Sequence, residues 1–147
     1  MMELINGSVL LSPPYLDLLL TADPSEESIR TYVPHCMAVC SYEQDEPVGL
    51  CVFGASEGSK QEIYNLAVKT EYRRRGLALR MLEFLLQQAA RPIIVRTGST
   101  SFAALALYQK LGFRMVQIVP DYFSSNYDYP LFENGIQLRD QVVLELI

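Results

Sequence analysis

The stretch "EIYNLAVKTEYRRRGLALRMLEF", Glu62 to Phe84, runs from an apolar strand pattern through a basic turn into a leucine-rich helical pattern. From Gly76 the period changes: Ala78, Met81, Leu82, Leu85 and Ala89 recur at helical spacing, and Leu79 and Leu86 widen the stripe. A helix that starts this way leaves its first N–H groups unpaired and carries the positive end of its dipole there. Arg73, Arg74 and Arg75 add cations where they are unfavourable by roughly 0.3 to 1 kcal/mol each, so three together point to an external anion.

The charge balance narrows the anion. With 12 basic and 17 acidic residues the chain carries -5, yet Lys69 to Arg80 holds five basic residues and one acid. That leaves 7 basic and 16 acidic residues, or -9, elsewhere. A nucleic-acid binder spreads basic charge over a face, so a compact anion is expected here and a nucleic-acid partner is not.

At 147 residues, half of them apolar and a fifth charged, the chain is expected to form one globular domain, residues 1–147. No apolar run reaches the length of a membrane span, and Glu3 stands where a signal peptide carries basic charge, which predicts a cytoplasmic protein with no membrane partner. Cys36, Cys40 and Cys51 lie in apolar surroundings without paired CxxC spacing and read as small hydrophobes, not as metal ligands.

Around the opening stretch the order of elements is mixed. "PPYLDLLLTADPSEESIRTYV" predicts two short helices, the second opened by Asp23, Pro24, Ser25, Glu26 and Glu27. "HCMAVCSYE" and "PVGLCVFGAS" predict strands about a turn at Asp45, Glu46 and Pro47, and "KQEIYNLAVKT" a third strand. Then come "PIIVRT" as a strand, "SFAALALYQKLG" as a helix stopped by Gly112, "FRMVQIV" as a strand, an aromatic loop, and "DQVVLELI" as a last strand. The class expected is α/β (more strictly α+β), with about four helices and six or seven strands. His35, the single histidine, opens an apolar strand and is expected to be structural.

No GxGxxG is present and no GK[ST] follows the turn, which removes the Rossmann and P-loop readings. What fits is [RQ]xxGx[GA], as Arg73, Gly76 and Ala78, with "EIYNLAV" before it and "ALYQKLGF" about thirty residues on. Together these motifs resemble the GNAT superfamily of N-acetyltransferases, strongly from Glu62 to Arg114. The flanks "LLLTADPSEESIRTYV" and "DYFSSNYDYPLFENGIQLRD" extend the likeness to a branch of small bacterial members.

The resemblance implies a mixed, mostly antiparallel sheet splayed between its fourth and fifth strands, with acetyl-CoA as cosubstrate and no metal. It implies that amides of Arg74, Arg75, Gly76, Leu77, Ala78 and Leu79 face the pyrophosphate, beside Arg73. It also implies a bulge in "NLAV", where Leu66, Ala67 and Val68 pair with the pantetheine arm. Ser101 stands where the family carries asparagine, with Ser99 and Thr100 alongside.

Two residues carry the implied chemistry. Tyr108 matches the tyrosine near the coenzyme sulfur; core packing is the competing reading. Since a phenol is a weaker acid than a thiol, its expected role is a hydrogen bond to the leaving thiolate. Glu62 matches the general-base glutamate of the histone-acetylating members, against the reading of an exposed strand-start acid; to serve as a base it has to be buried.

The implied reaction is direct transfer to a primary amine of a small molecule or peptide in a ternary complex. The alternative is a coenzyme A binding or sensing module without turnover, and a homodimer is left open. Tyr122, Phe123, Tyr127, Tyr129 and Phe132 form either a pinned surface loop or an acceptor lid.

Overall fold

Strand β3, Glu46–Ala55, is buried from Pro47 to Gly54 on both faces, and the elements of the first half are arranged to cover it. The computed structural model describes Met1–Ile147, and its contacts divide into two compact units, Met1–Ala90 and Arg91–Ile147.

In the first unit β1 (Met2–Asn6), β2 (Cys36–Glu43), β3 and β4 (Gln61–Val68) form an antiparallel meander. Helices α1 (Tyr15–Ala22) and α2 (Glu26–Tyr32) cover one face. Their Leu18, Leu19 and Ile29 meet Ala38, Cys40, Leu50, Val52 and Ala67 from the strands. Helix α3 (Leu77–Gln88) packs on β2, β3 and β4 with Leu77, Met81, Leu82 and Leu85 buried, the stripe its period predicts. A Cβ on Gly49 of β3 would stand 2.8 Å from Met81 Cε, so glycine admits the helix.

Local chemistry explains the element ends. Ser25 is the N-cap of α2, its Oγ accepting from Ser28 N at 3.1 Å. Asp23 lies two residues back, its Oδ1 accepting from Ser25 N. The β2–β3 turn is Gln44–Asp45, both at positive φ (51° and 65°), one residue earlier than Asp45–Pro47, because the right-handed strand twist favours a two-residue turn of that hand. Strand β1 was not expected. Its apolar residues do not alternate, and it is defined by register with β2, Met2 opposite Ser41 through Asn6 opposite Met37.

In the second unit β9 (Gln141–Leu146) lies between β5 (Ile93–Gly98) and β6 (Arg114–Val119), antiparallel to both. Helix α4 (Phe102–Lys110) ends at Gly112, whose φ of 98° lets Phe113 N return to Tyr108 O at 3.1 Å. The stretch read as an aromatic loop contains a short helix, α5 (Tyr122–Asn126), and a hairpin of β7 (Leu131–Glu133) and β8 (Ile136–Leu138). The hairpin turns at Asn134–Gly135, both at positive φ, in keeping with the tight turn expected of "ENG".

The mixed α/β class holds: four strands in the first unit, three beside the small hairpin in the second, and five α-helices. No helix is long and apolar enough to cross a membrane. Cys36, Cys40 and Cys51 are free and buried, as small hydrophobes. Burial pushes the Cys36 and Cys40 thiols up to about 11 from 9.0, and drives Cys51 up as well.

A Cβ at Gly7 would overlap the Val33 carbonyl oxygen and lie 2.5 Å from that of Cys36. Gly7→Ala is therefore expected to cost about 1 to 3 kcal/mol, read as a lower urea midpoint. The folded state holds the thiol protons of Cys36 and Cys40 more tightly than the unfolded chain does. Their contribution to stability is full below about pH 9 and is lost as pH rises toward about 11. Urea midpoints across that range should fall, and less steeply in Cys36→Ala/Cys40→Ala.

Candidate active site

The basic turn is held by its own side chains. After β4 one 3-10 turn, Thr70–Tyr72, closes with Tyr72 N on Lys69 O at 2.8 Å. Arg73 Nε reaches back to Val68 O at 3.0 Å, bracing the strand end. The Arg75 guanidinium lies 5.1 Å from the Tyr72 ring centroid, and Arg80 Nη1 donates to Arg75 O at 2.9 Å. Arg74 is exposed and at φ 64°, with Gly76 at φ 74° two residues on.

Gly76 is the N-cap of α3 and offers no side-chain cap; the first helical bond runs from Arg80 N to Gly76 O at 3.1 Å. The amides of Leu77, Ala78 and Leu79 belong to the first turn, where a helix has no acceptors of its own. The nearest atom to a Cβ on Gly76 would be Arg80 Nη1 at 3.5 Å, so backbone conformation and not crowding demands glycine here. Beside the turn a cavity of about 220 Å³ is lined by Tyr72, Arg75, Leu77 and Arg80 together with Met2 and Glu43.

Leu66, Ala67 and Val68 stand opposite Cys51, Leu50 and Gly49 of β3. Ala67 is core, and the other two are half-buried. The register breaks where Val52 faces Asn65 and Phe53 faces Ile63, so the bulged residue is Tyr64, earlier than the "NLAV" expected to carry it.

Glu62 is 8 % exposed, not an exposed acid at a strand start, and its Oε1 accepts from Ser56 Oγ at 2.7 Å. It lies opposite Gly54, which lies opposite Cys36, one row across three strands. Its charge adds to burial in raising the Cys36 thiol.

The bulge brings in residues that motif reading missed. Asn65, 5 % exposed, donates through Nδ2 to Leu19 O at 3.2 Å and lies 3.1 Å from Tyr32 OH. Tyr32 OH donates to Asp23 Oδ2 at 3.1 Å, and its ring stacks on Tyr64 with centroids 5.2 Å apart. Burial, above all, holds the Tyr32 phenol far above its ordinary value. The signal available in sequence was an asparagine inside an otherwise apolar run.

In the second unit Tyr108 is buried, with its ring edge-on to Phe113 at 5.5 Å. Ser101 is the N-cap of α4, but its Oγ donates to Glu133 Oε1 at 2.8 Å instead of capping. Thr100 Oγ1 is buried without a partner, and Thr100 O accepts from Asn134 Nδ2. Tyr122, Phe123 and Tyr127 pin one another, whereas Tyr129 and Phe132 are 59 % and 64 % exposed. His35 is exposed at the end of a 3-10 turn, immediately before β2. No group of three or more His, Cys, Asp and Glu side chains is placed to hold a metal ion.

The chain is similar to known proteins. The profile of the Acetyltransferase (GNAT) family matches residues 9–113. An uncharacterised N-acetyltransferase of Bacillus subtilis, YvbK, is 39% identical over 134 residues, covering 88% of this chain and 86% of that protein. An IAA acetyltransferase from Bacillus cereus superposes with a TM-score of 0.90 at 34% identity, over 99% of this chain and 97% of the other. A GNAT family acetyltransferase from Elizabethkingia anophelis, solved with acetyl-CoA bound, superposes with a TM-score of 0.89 at 30% identity, over 99% and 96%. With a glycine-started helix behind a basic turn, and likeness along nearly its whole length, this chain belongs to the GNAT acetyltransferase family.

Proposed function

We propose that the protein is an acetyl-CoA-dependent N-acetyltransferase that transfers the acetyl group to a primary amine of a small molecule or peptide by direct attack in a ternary complex. The observation that carries this reading is the turn before α3, where Gly76 at φ 74° opens a helix directly behind three arginines. Residues 1–147 act as one catalytic domain in this reading, in the cytoplasm, without metal, nucleic acid or membrane. The relative solved with acetyl-CoA supports the choice of cosubstrate.

The roles follow from chemistry. The first amides of α3 and the arginines at Arg73 to Arg75 neutralise the pyrophosphate, and the backbone of Leu66 to Val68 aligns the pantetheine arm. An acceptor amine with a pKa near 10.4 loses its proton at pH 7 at a cost of about 4.6 kcal/mol, so the reaction needs a base. Glu62 takes that proton, directly or through water; its burial and its contact with the Ser56 hydroxyl suit the role. The amine nitrogen forms its bond to the thioester carbonyl carbon; as the tetrahedral adduct collapses the carbon–sulfur bond breaks to release the thiolate, and the nitrogen loses its remaining extra proton to water, leaving the neutral amide. Tyr108 is assigned a hydrogen bond to that thiolate, since full transfer from phenol to thiolate would be uphill by about 2 kcal/mol.

Acetyl-CoA at a hundred times its dissociation constant should stabilise the fold by about 2.7 kcal/mol, seen as a raised melting temperature. Gly76→Val should abolish the shift, because a β-branched residue cannot hold that backbone cheaply. An unchanged melting temperature of the wild type at millimolar ligand would remove the coenzyme site. With one good acceptor, Tyr108→Phe should lower turnover by about thirty- to a thousandfold with little change in coenzyme affinity. Glu62→Gln should also be slow but partly rescued at high pH, where more amine is already neutral, and Tyr108→Phe should show no such rescue. Coenzyme binding without thiol release by any amine would instead support a sensing module.

A further inference from the structure

Asn65 holds a buried anomaly. The Leu19 carbonyl oxygen can only accept, so the group facing it at 3.2 Å has to be Nδ2, which fixes the orientation of the amide. Oδ1 is then a buried acceptor with no partner in the protein. A buried polar atom left unpaired costs about 1 to 3 kcal/mol, and native structures rarely keep one without a ligand or water to meet it.

The surroundings of that oxygen define what would meet it. One extra residue at the β4 bulge turns both Tyr64 and Asn65 toward the face covered by α1 and α2. Tyr64 packs against the Tyr32 ring, leaving both rings half-exposed. Beyond Tyr32 stands the Asp23 carboxylate, whose oxygens accept from Tyr32 OH and Ser25 N and keep lone pairs to spare. On the other side Glu62 stands in one row with Gly54 and Cys36, and Cys36 follows Tyr32 by four residues through a 3-10 turn. Two carboxylates, two aromatic faces and an orphaned amide oxygen are all groups that attract a cation.

Glu62 and Tyr64 lie two residues apart on β4, roughly 7 Å of extended chain, and the stacked Tyr32 and then Asp23 carry the polar row further. Such a row is too long for one ammonium group and suits a chain with one at each end.

Resting on the acetyltransferase reading, we infer that the row Glu62–Asn65–Tyr64–Tyr32–Asp23 is an acceptor subsite for the second cationic group of a diamine or polyamine. The reacting amine lies by Glu62. The distal ammonium donates to Asp23 and Asn65 Oδ1 and packs on the paired tyrosine rings.

The test compares three acceptors of equal chain length that differ at the far end: cadaverine with an ammonium, pentylamine with a methyl, and δ-aminovalerate with a carboxylate. Calorimetry on the coenzyme A-bound protein reads binding without requiring turnover, and thiol release from acetyl-CoA reads KM and kcat. Cadaverine is expected to bind at least tenfold more tightly than pentylamine, with δ-aminovalerate weakest, and its advantage should lie in KM. In Asp23→Asn, which keeps the acceptor for Ser25 N, the cadaverine-to-pentylamine ratio should fall close to one. Equal affinities of the wild type for cadaverine and pentylamine, or an unaltered ratio in Asp23→Asn, would overturn the subsite. Failure of acetyl-CoA to bind at all would instead remove the acetyltransferase reading.

Discussion

The left-handed backbone at Gly76 is the constraint on which the rest of the first unit depends. At φ 74° the chain leaves the basic turn and enters α3 in a single step. The residue after it, Leu77, is already buried, and the stripe of Met81, Leu82 and Leu85 follows from that start. Starting the helix one residue later would rotate its apolar face by about 100°, carrying this stripe away from β2, β3 and β4. The contact is close, since a Cβ on Gly49 would stand 2.8 Å from Met81 Cε. The same conformation opens the first turn of α3, whose leading amides have no acceptor within the helix, so helix packing and the exposure of those amides rest on one torsion angle.

The arginines divide their work. Arg73 ties the turn to the last carbonyl of β4, and Arg75 and Arg80 tie the turn to the helix. Three cations at a helix start are tolerated in the free protein partly because two of them are occupied with carbonyls or an aromatic face. The turn is therefore braced by its own side chains in the free protein.

On the opposite face the problem is polarity inside a packed layer. Glu62 would be costly to bury without a donor, and Ser56 supplies one. Asn65 is only half satisfied, and the aromatic pair beside it is half-exposed where the neighbouring strand residues are core. This part of the sheet departs from the local rules that hold elsewhere in the unit.

Much of this was readable from the amino acids. The helical period after Gly76, the apolar runs of β2, β3 and β4, and Gly112 as the stop of α4 are local signals, because side-chain spacing and glycine torsions act within a few residues. The likeness from Glu62 to Arg114 came from the same stretch. Other features arise only across long chain separations. Strand β1 exists because β2 offers it a register, and the aromatic stretch resolves into α5 and a hairpin whose Asn134 ties back to Thr100. The bulge at Tyr64 is set by the match of β4 to β3, which spacing along one strand does not reveal. The burial of Glu62 and the convergence of Asp23, Tyr32, Tyr64 and Asn65 were likewise decided by tertiary structure. The physical reason is that sequence spacing determines which face of an element a residue occupies, whereas exposure and polar partners depend on which distant element is laid against that face.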